Sequence, residues 1–283
     1  NYTMKKLFLA LFAIMMVGSF TAQSQIVDDA PMDQLYEDEG LTEKVPVPYP
    51  YIRKADVMWS KRIWREIDFR QKFNQKFYFP IETQANWKSF IVTVLDALKE
   101  GQLTAYDISA TDELLVPITY SDIIGRQTDS IYQIMQRPYP PYEEYDTVIY
   151  TEFDPTKVMR IRLKEDWYFD AKGSQMMFRI QAICPIMIKE RNGQEVSEPL
   201  FWLSYPQSRD VFAQSLVFNE FNSSARLSYD EVFWKRLFDS YIYKEENVFD
   251  RRISQYATGV DALLEAERVK SEMRDFEENL WEY

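Results

Sequence analysis

Two apolar periods divide this chain. Early in its body Trp59, Ile63 and Ile67 recur at every fourth residue. With Val57 and Trp64 they cover an arc of roughly 160° on a helical wheel at 100° per residue. That spacing predicts a helix over residues 55–73, with Lys61, Arg62 and Arg65 on its far side. A second helix follows from Trp87, Phe90, Ile91, Val94, Leu95 and Leu98, with Thr83 as its N-cap and Gly101 where a C-terminal cap belongs. Residues 103–108 read as a strand, and residues 114–120 lead into a short helix near 121–125.

Beyond residue 146 the period becomes two. Met159, Ile161 and Leu163 alternate with Arg160, Arg162 and Lys164; after a turn at 170–174, Met176, Phe178, Ile180 and Ala182 alternate in the same way. An Asn192-Gly193 turn and a strand over 200–205 extend this into an antiparallel meander with one face buried. Ser228 and Glu231 then form a capping box, followed by a broad apolar helix face of Phe233, Trp234, Leu237, Phe238, Tyr241 and Ile242. Residues 230–238 faintly echo 55–64, a single match that establishes no repeat. The last helix, residues 260–281, carries a narrow seam of Ala262, Ala266, Val269, Met273, Phe276 and Leu280 with a period near 3.5. Such a seam packs on its own domain or faces another chain.

The fold class that results is α+β: an antiparallel β-meander packed with amphipathic helices, with an extended N-terminal arm and a charged C-terminal helix. Residues 1–24 read as a secretory signal peptide: Lys5 and Lys6 precede an apolar run over 7–20, and Ala22 lies three residues before a cut after Ser24. That run is short for a bilayer span, and no later stretch is apolar enough for one. Residues 25–50 form an acidic, then Pro-rich flexible arm that leads through VPVPYPY (45–51) into the core domain, residues 51–258, with 259–283 the terminal helix. Residues 137–146 read as a second Pro/Tyr linker.

Composition narrows the chemistry. The 283 residues contain no histidine and one cysteine, which removes His-dependent nucleophile systems, imidazole bases, His-containing zinc sites and internal disulfides. With seven glycines, no phosphate-cradling glycine motif is found. Forty-five acids against 33 bases give a net charge of −12, poorly suited to nucleic acid. Against that background residues 51–76 hold eight bases and three acids. The plain reading is a solvated face balancing acids elsewhere; a docking surface for an acidic partner is the alternative.

No catalytic residue, cofactor or metal site is assigned. Cys184, in an apolar strand, reads as a buried, inert thiol. Asp166 and Asp170, beside Trp167 and Tyr168, resemble a sugar-binding edge, and they define the rival function: a periplasmic carbohydrate-binding module or carboxylate-based glycosidase. Turn carboxylates beside cross-strand aromatics are the simpler explanation. The residues proposed for partner contact are Tyr49, Tyr51, Lys61, Arg62, Arg65, Val269, Met273, Phe276 and Leu280, since interfaces favour aromatic and Arg anchors.

YIRKADVMWSKRIWREIDFRQKFNQKFYFP (51–80), WKSFIVTVLDALKEGQLTAYD (87–107), KVMRIRLKEDWYFD (157–170), the Gln-Ala-Ile-Cys-Pro stretch around Cys184 and PLFWLSYPQSRDVFA (199–213) together resemble the gliding-motility N-protein family, GldN or PorN, of Bacteroidetes. The resemblance implies a non-catalytic periplasmic part of the type IX secretion and gliding motility machinery, at the inner face of the outer membrane. It implies assembly with the outer-membrane lipoprotein GldK (PorK) into a large ring of self-associated subunits, and contact with the periplasmic part of the motor protein GldM (PorM). An adaptor that delivers cargo without joining a ring is a third reading.

Overall fold

The computed structural model describes residues 44–281, apart from 85–86, 109–111, 141–143, 152, 192, 220–221 and 223–225. The expected signal peptide and residues 25–43 of the expected arm lie outside that set.

The architecture is an antiparallel sheet of eight strands with helices against it, an α+β arrangement. At its centre run three long strands: β1 (Val57–Asp68), β6 (Val158–Asp170) and β7 (Gln175–Arg191). β12 (Tyr241–Glu245) closes one edge beside β1. The far edge of β7 is shared by β8 (Gln194–Pro199) and β9 (Trp202–Ser204), and β9 leads on to β2 (Ala105–Tyr106) and β3 (Pro117–Ile118). Two small ribbons stand apart from this sheet: β4 (Asp129–Gln136) with β5 (Glu144–Thr151), and β10 (Leu216–Val217) with β11 (Leu227–Ser228).

Register decides what each face carries. Ile67 lies opposite Ile161 and Arg65 opposite Leu163, while Leu163 faces Ile183. These side chains share one face. On it pack α1 (Phe90–Lys99), α3 (Tyr205–Gln214) and α4 (Tyr229–Trp234), whose Phe90, Phe212, Tyr229 and Phe233 join Phe77 in a buried aromatic cluster. Short α2 (Tyr120–Gln127) contributes Ile123 to the same core. Further along this face α5 (Val260–Trp281) lays Ala266, Val269 and Met273 on Ile63, Ile242 and Ile253. The opposite face has a smaller cluster of Trp64, Ala182, Cys184 and Trp202.

The predicted helix over 55–73 is therefore a strand flanked by two short 3-10 turns, Lys54–Asp56 and Lys72–Phe77. A spacing of four is two strand periods as well as roughly one helical turn, so Trp59, Ile63 and Ile67 align on one face of either element. The intervening Arg65 is also buried, which a helix with that basic face would not produce. Residues 230–238 and 55–64 thus adopt different structures, and their likeness is coincidental.

Other boundaries shift for local reasons. The N-cap position of α1 is Ser89, not Thr83, and its side chain makes no capping bond, while Gly101 takes φ +74° just past the helix, as a C-terminal cap requires. The Ser228–Glu231 capping box forms, but the helix ends at Trp234. Arg236 then adopts φ +52° and the chain turns into β12, so Tyr241 and Ile242 are strand residues. The expected linker over 137–146 lies between β4 and β5, its residues 144–146 already in β5. Pro138 and Pro140 follow the end of β4, where no ladder N–H is needed, while residues 141–143 lie outside the described set. α3 went unpredicted, although Pro206 in its first turn is a helix-start signal.

Candidate functional site

Residues 44–50 lead onto the helical layer. Lys44 pairs with Glu231 at 3.1 Å. Tyr49 stacks near Trp234 (5.2 Å between centroids), with the Arg209 and Arg179 guanidinium carbons 4.6 and 4.8 Å from its ring centroid; Arg179 also donates to the Pro50 carbonyl. Arg209 is held by a fork of bonds to Asp230 at 2.8 and 2.9 Å, and the Tyr205 hydroxyl donates to the same carboxylate at 2.9 Å. Burial, only partly opposed by the nearby Arg209 charge, pushes the Tyr49 phenol up to about 12, so it stays protonated at neutral pH. This part of the expected flexible arm is strapped to its own chain. A cavity of ≈ 170 Å³ beneath it is lined by Tyr168, Met177, Phe178 and Trp234. Tyr51, two residues on, is 89% exposed.

The basic residues of β1 are engaged across the sheet. Lys61 pairs with Glu245 at 2.6 Å, and Arg62 grips Asp166 through Nε at 2.6 Å and Nη2 at 3.1 Å. Arg65 is buried beside Glu165, which is fully buried. Its Nε stands 3.2 Å from the carboxylate but is poorly aligned for a hydrogen bond, so their attraction is mainly charge against charge. Glu165 is completed by Arg236 Nη1 at 3.0 Å and the Trp167 indole N–H at 2.9 Å. Glu66 on the other face accepts from Arg160, Arg162 and the Tyr241 hydroxyl. Four of the eight bases of residues 51–76, Lys61, Arg62, Arg65 and Arg70, thus balance acids of their own or other strands, in line with the plainer of the two sequence readings.

The proposed glycosidase pair does not converge. Asp166 is occupied by Arg62, and Asp170 accepts the Lys172 backbone N–H in the β6–β7 turn. Trp167 lies beneath Arg236 and beside Phe178. Cys184 is fully buried, and burial outweighs the charge of Arg162 in pushing its thiol up to about 12, which makes it a poor nucleophile. Among the described residues no cluster of His, Cys, Asp or Glu has the makings of a metal site.

The α5 seam is used within the chain. Val269 and Met273 are buried against the sheet and Phe276 stacks on Trp59 at 4.8 Å, so these three side chains are not a free surface; the Leu280 side chain lies outside the described set. Exposed instead are Val260, Leu263 and Leu264 on α5, and Val248 and Phe249 in the loop before it. That loop escaped the sequence reading, although two large apolar residues inside the polar stretch ENVFDRR were a usable signal.

Fold and site together define an α+β scaffold whose buried charges serve structure. A family model, gliding motility associated protein GldN, matches residues 52–282, and the chain belongs to that family. A comparison with curated proteins found no match. Among the described residues no helix is long and apolar enough to cross a membrane.

Proposed function

We propose that this protein is a non-catalytic structural subunit of the type IX secretion and gliding motility machinery. It works in the periplasm at the inner face of the outer membrane. There it assembles with the lipoprotein GldK (PorK) into a ring and links that ring to the periplasmic part of GldM (PorM). The observation that carries this reading is the family match over residues 52–282, which takes in every strand and α-helix of the fold. It is supported by the engagement of the candidate acids in cross-strand ion pairs, which leaves Asp166 holding Arg62 and Glu165 holding two arginines.

The test is genetic. A deletion strain should lose secretion of proteins carrying the C-terminal sorting signal. The wild-type gene and an Asp166→Asn/Asp170→Asn variant should restore secretion equally. Normal secretion in the deletion strain would refute the role, and failure of the stably folded double variant would favour the carbohydrate-active alternative.

A further inference from the structure

The tripeptide Pro-Tyr-Pro occurs twice in this chain, at residues 48–50 and 138–140. The first is seated in a cradle on the helical layer. Its Tyr49 ring lies between Trp234 of α4, Arg209 of α3 and Arg179 of β7, and Arg179 donates to the Pro50 carbonyl. The second is exposed. It follows the end of the eight-residue β4, which carries it about 27 Å from the base of its ribbon at about 3.4 Å per residue, and Tyr139 is 77% exposed.

The seated copy leaves its cradle incompletely used. Val45 and Val47 of the strap are exposed, and the Lys44–Glu231 pair is of the partly exposed kind that contributes little. Arg179 Nε is buried without a hydrogen-bond partner. Beneath Tyr49 the ≈ 170 Å³ cavity is walled by Met176, Met177 and Phe178. Charge in the cradle is ordered: the Glu231 carboxylate meets the strap's start and the Arg179 guanidinium its end. After Pro50 the strap's next charges are further bases, Arg53 and Lys54. The second segment instead has Arg137 before its Pro-Tyr-Pro and Glu143 and Glu144 after it.

We propose that the cradle is a receptor for Pro-Tyr-Pro and that, in the assembly, residues 138–140 of a second copy replace residues 48–50 in it. Tyr139 then takes the place of Tyr49 between Trp234 and the two arginines. The seated strap shows that this chemistry fits. A tyrosine ring offers its face to the guanidiniums, and the flanking prolines hold the backbone extended, so little conformational entropy is lost on docking. The incoming segment also matches the cradle's charge order, base toward Glu231 and acid toward Arg179. In a lone chain the tethered strap wins, because its effective concentration is high. Copies held side by side raise that of the hairpin, so exchange accompanies assembly. Hairpin and cradle are different surfaces, so the contact is head-to-tail, and the series closes as a ring or runs on as a filament. This inference rests on the ring-subunit reading and supplies its self-contact.

A labelled peptide of residues 137–146, titrated against the full chain, tests the recognition. It should bind Tyr49→Ala, whose strap is loosened, about tenfold or more tighter than wild type, and the same peptide with Tyr139→Ala should bind neither. In the full chain Tyr139→Ala should leave the monomer's Tm unchanged, since the side chain is exposed, and weaken association in the presence of the lipoprotein about tenfold or more. Assembly should also speed tryptic cleavage at Arg53 as the strap is released. A folded Tyr49→Ala chain that ignores the peptide would overturn the proposal. Lipoprotein that releases the strap of Tyr139→Ala as fully as that of wild type would be the occupant itself, which also overturns it. Assemblies formed equally by Tyr139→Ala and wild type would overturn the contact and leave the ring reading standing. A chain that binds the peptide but stays monomeric with the lipoprotein would overturn the ring reading, and with it the contact between copies.

Discussion

Glu165 shows how charge is used at the scale of single residues. A fully buried carboxylate is held by Arg65, Arg236 and the Trp167 indole on the sheet face between Ile63 and Ile67. Burial pulls the Arg65 guanidinium below its ordinary value, and the adjacent Glu165 carboxylate opposes that. Removing the partner is therefore more damaging than never having had the pair. Glu165→Ala should lower the unfolding free energy by about 3–5 kcal/mol in a urea titration. An effect under about 1 kcal/mol would show that water or another group compensates. Joint replacement of Arg65 by Met and Glu165 by Leu should recover much of the loss.

The same scale sets the response to acid. Burial tends to raise Asp68, Glu198 and Glu231, yet each carboxyl ends below its ordinary value. Bonds from Arg70 act on Asp68, those from Lys189 and Gln127 on Glu198, and those from Ser228 and Lys44 on Glu231. A carboxyl depressed in the folded state adds stability that is complete above its ordinary pKa and is lost as pH falls through the folded value. These three groups predict a Tm that is level above about pH 5 and falls as the pH drops below 4.5 and 3.8, the ordinary Glu and Asp values. A Tm unchanged between pH 5 and pH 3 would contradict the assignment of these bonds.

At the scale of elements, some of the fold was legible in the sequence. The terminal helix runs Val260–Trp281 as its seam predicts, the Ser228–Glu231 box forms, and β6 and β7 pair across the predicted turn. Each signal is local. β1 failed because its spacing of four serves both periods, and β12 failed because the reversal rests on Arg236 at positive φ, which nothing in the residue type announces. The ion cluster was hidden for another reason: Arg65 and Glu165 are a hundred residues apart and meet only through sheet register. The α5 seam was correctly seen, but its destination was not, since a period of 3.5 does not say which surface it meets. Met273→Ala should cost about 2 kcal/mol or more as a cavity in this chain's own core. If instead the isolated chain is unaffected and only its association weakens, the seam belongs to an interface.

The strap is likewise an element with a testable attachment. Tyr49→Ala removes the ring held between Arg179, Arg209 and Trp234, and should speed tryptic cleavage at Arg53 and Lys54 severalfold while changing the global Tm little. Equal cleavage rates would mean that Lys44 and Pro50 suffice to hold the segment.

For the whole molecule, the central claim is that this scaffold works by assembly. Its family match and its structurally engaged charges support that reading. Electron microscopy of the chain co-expressed with the outer-membrane lipoprotein tests this most directly. The account predicts closed rings containing many copies of both proteins. Well-folded chain and lipoprotein that remain separate, with no high-mass particle, would contradict it.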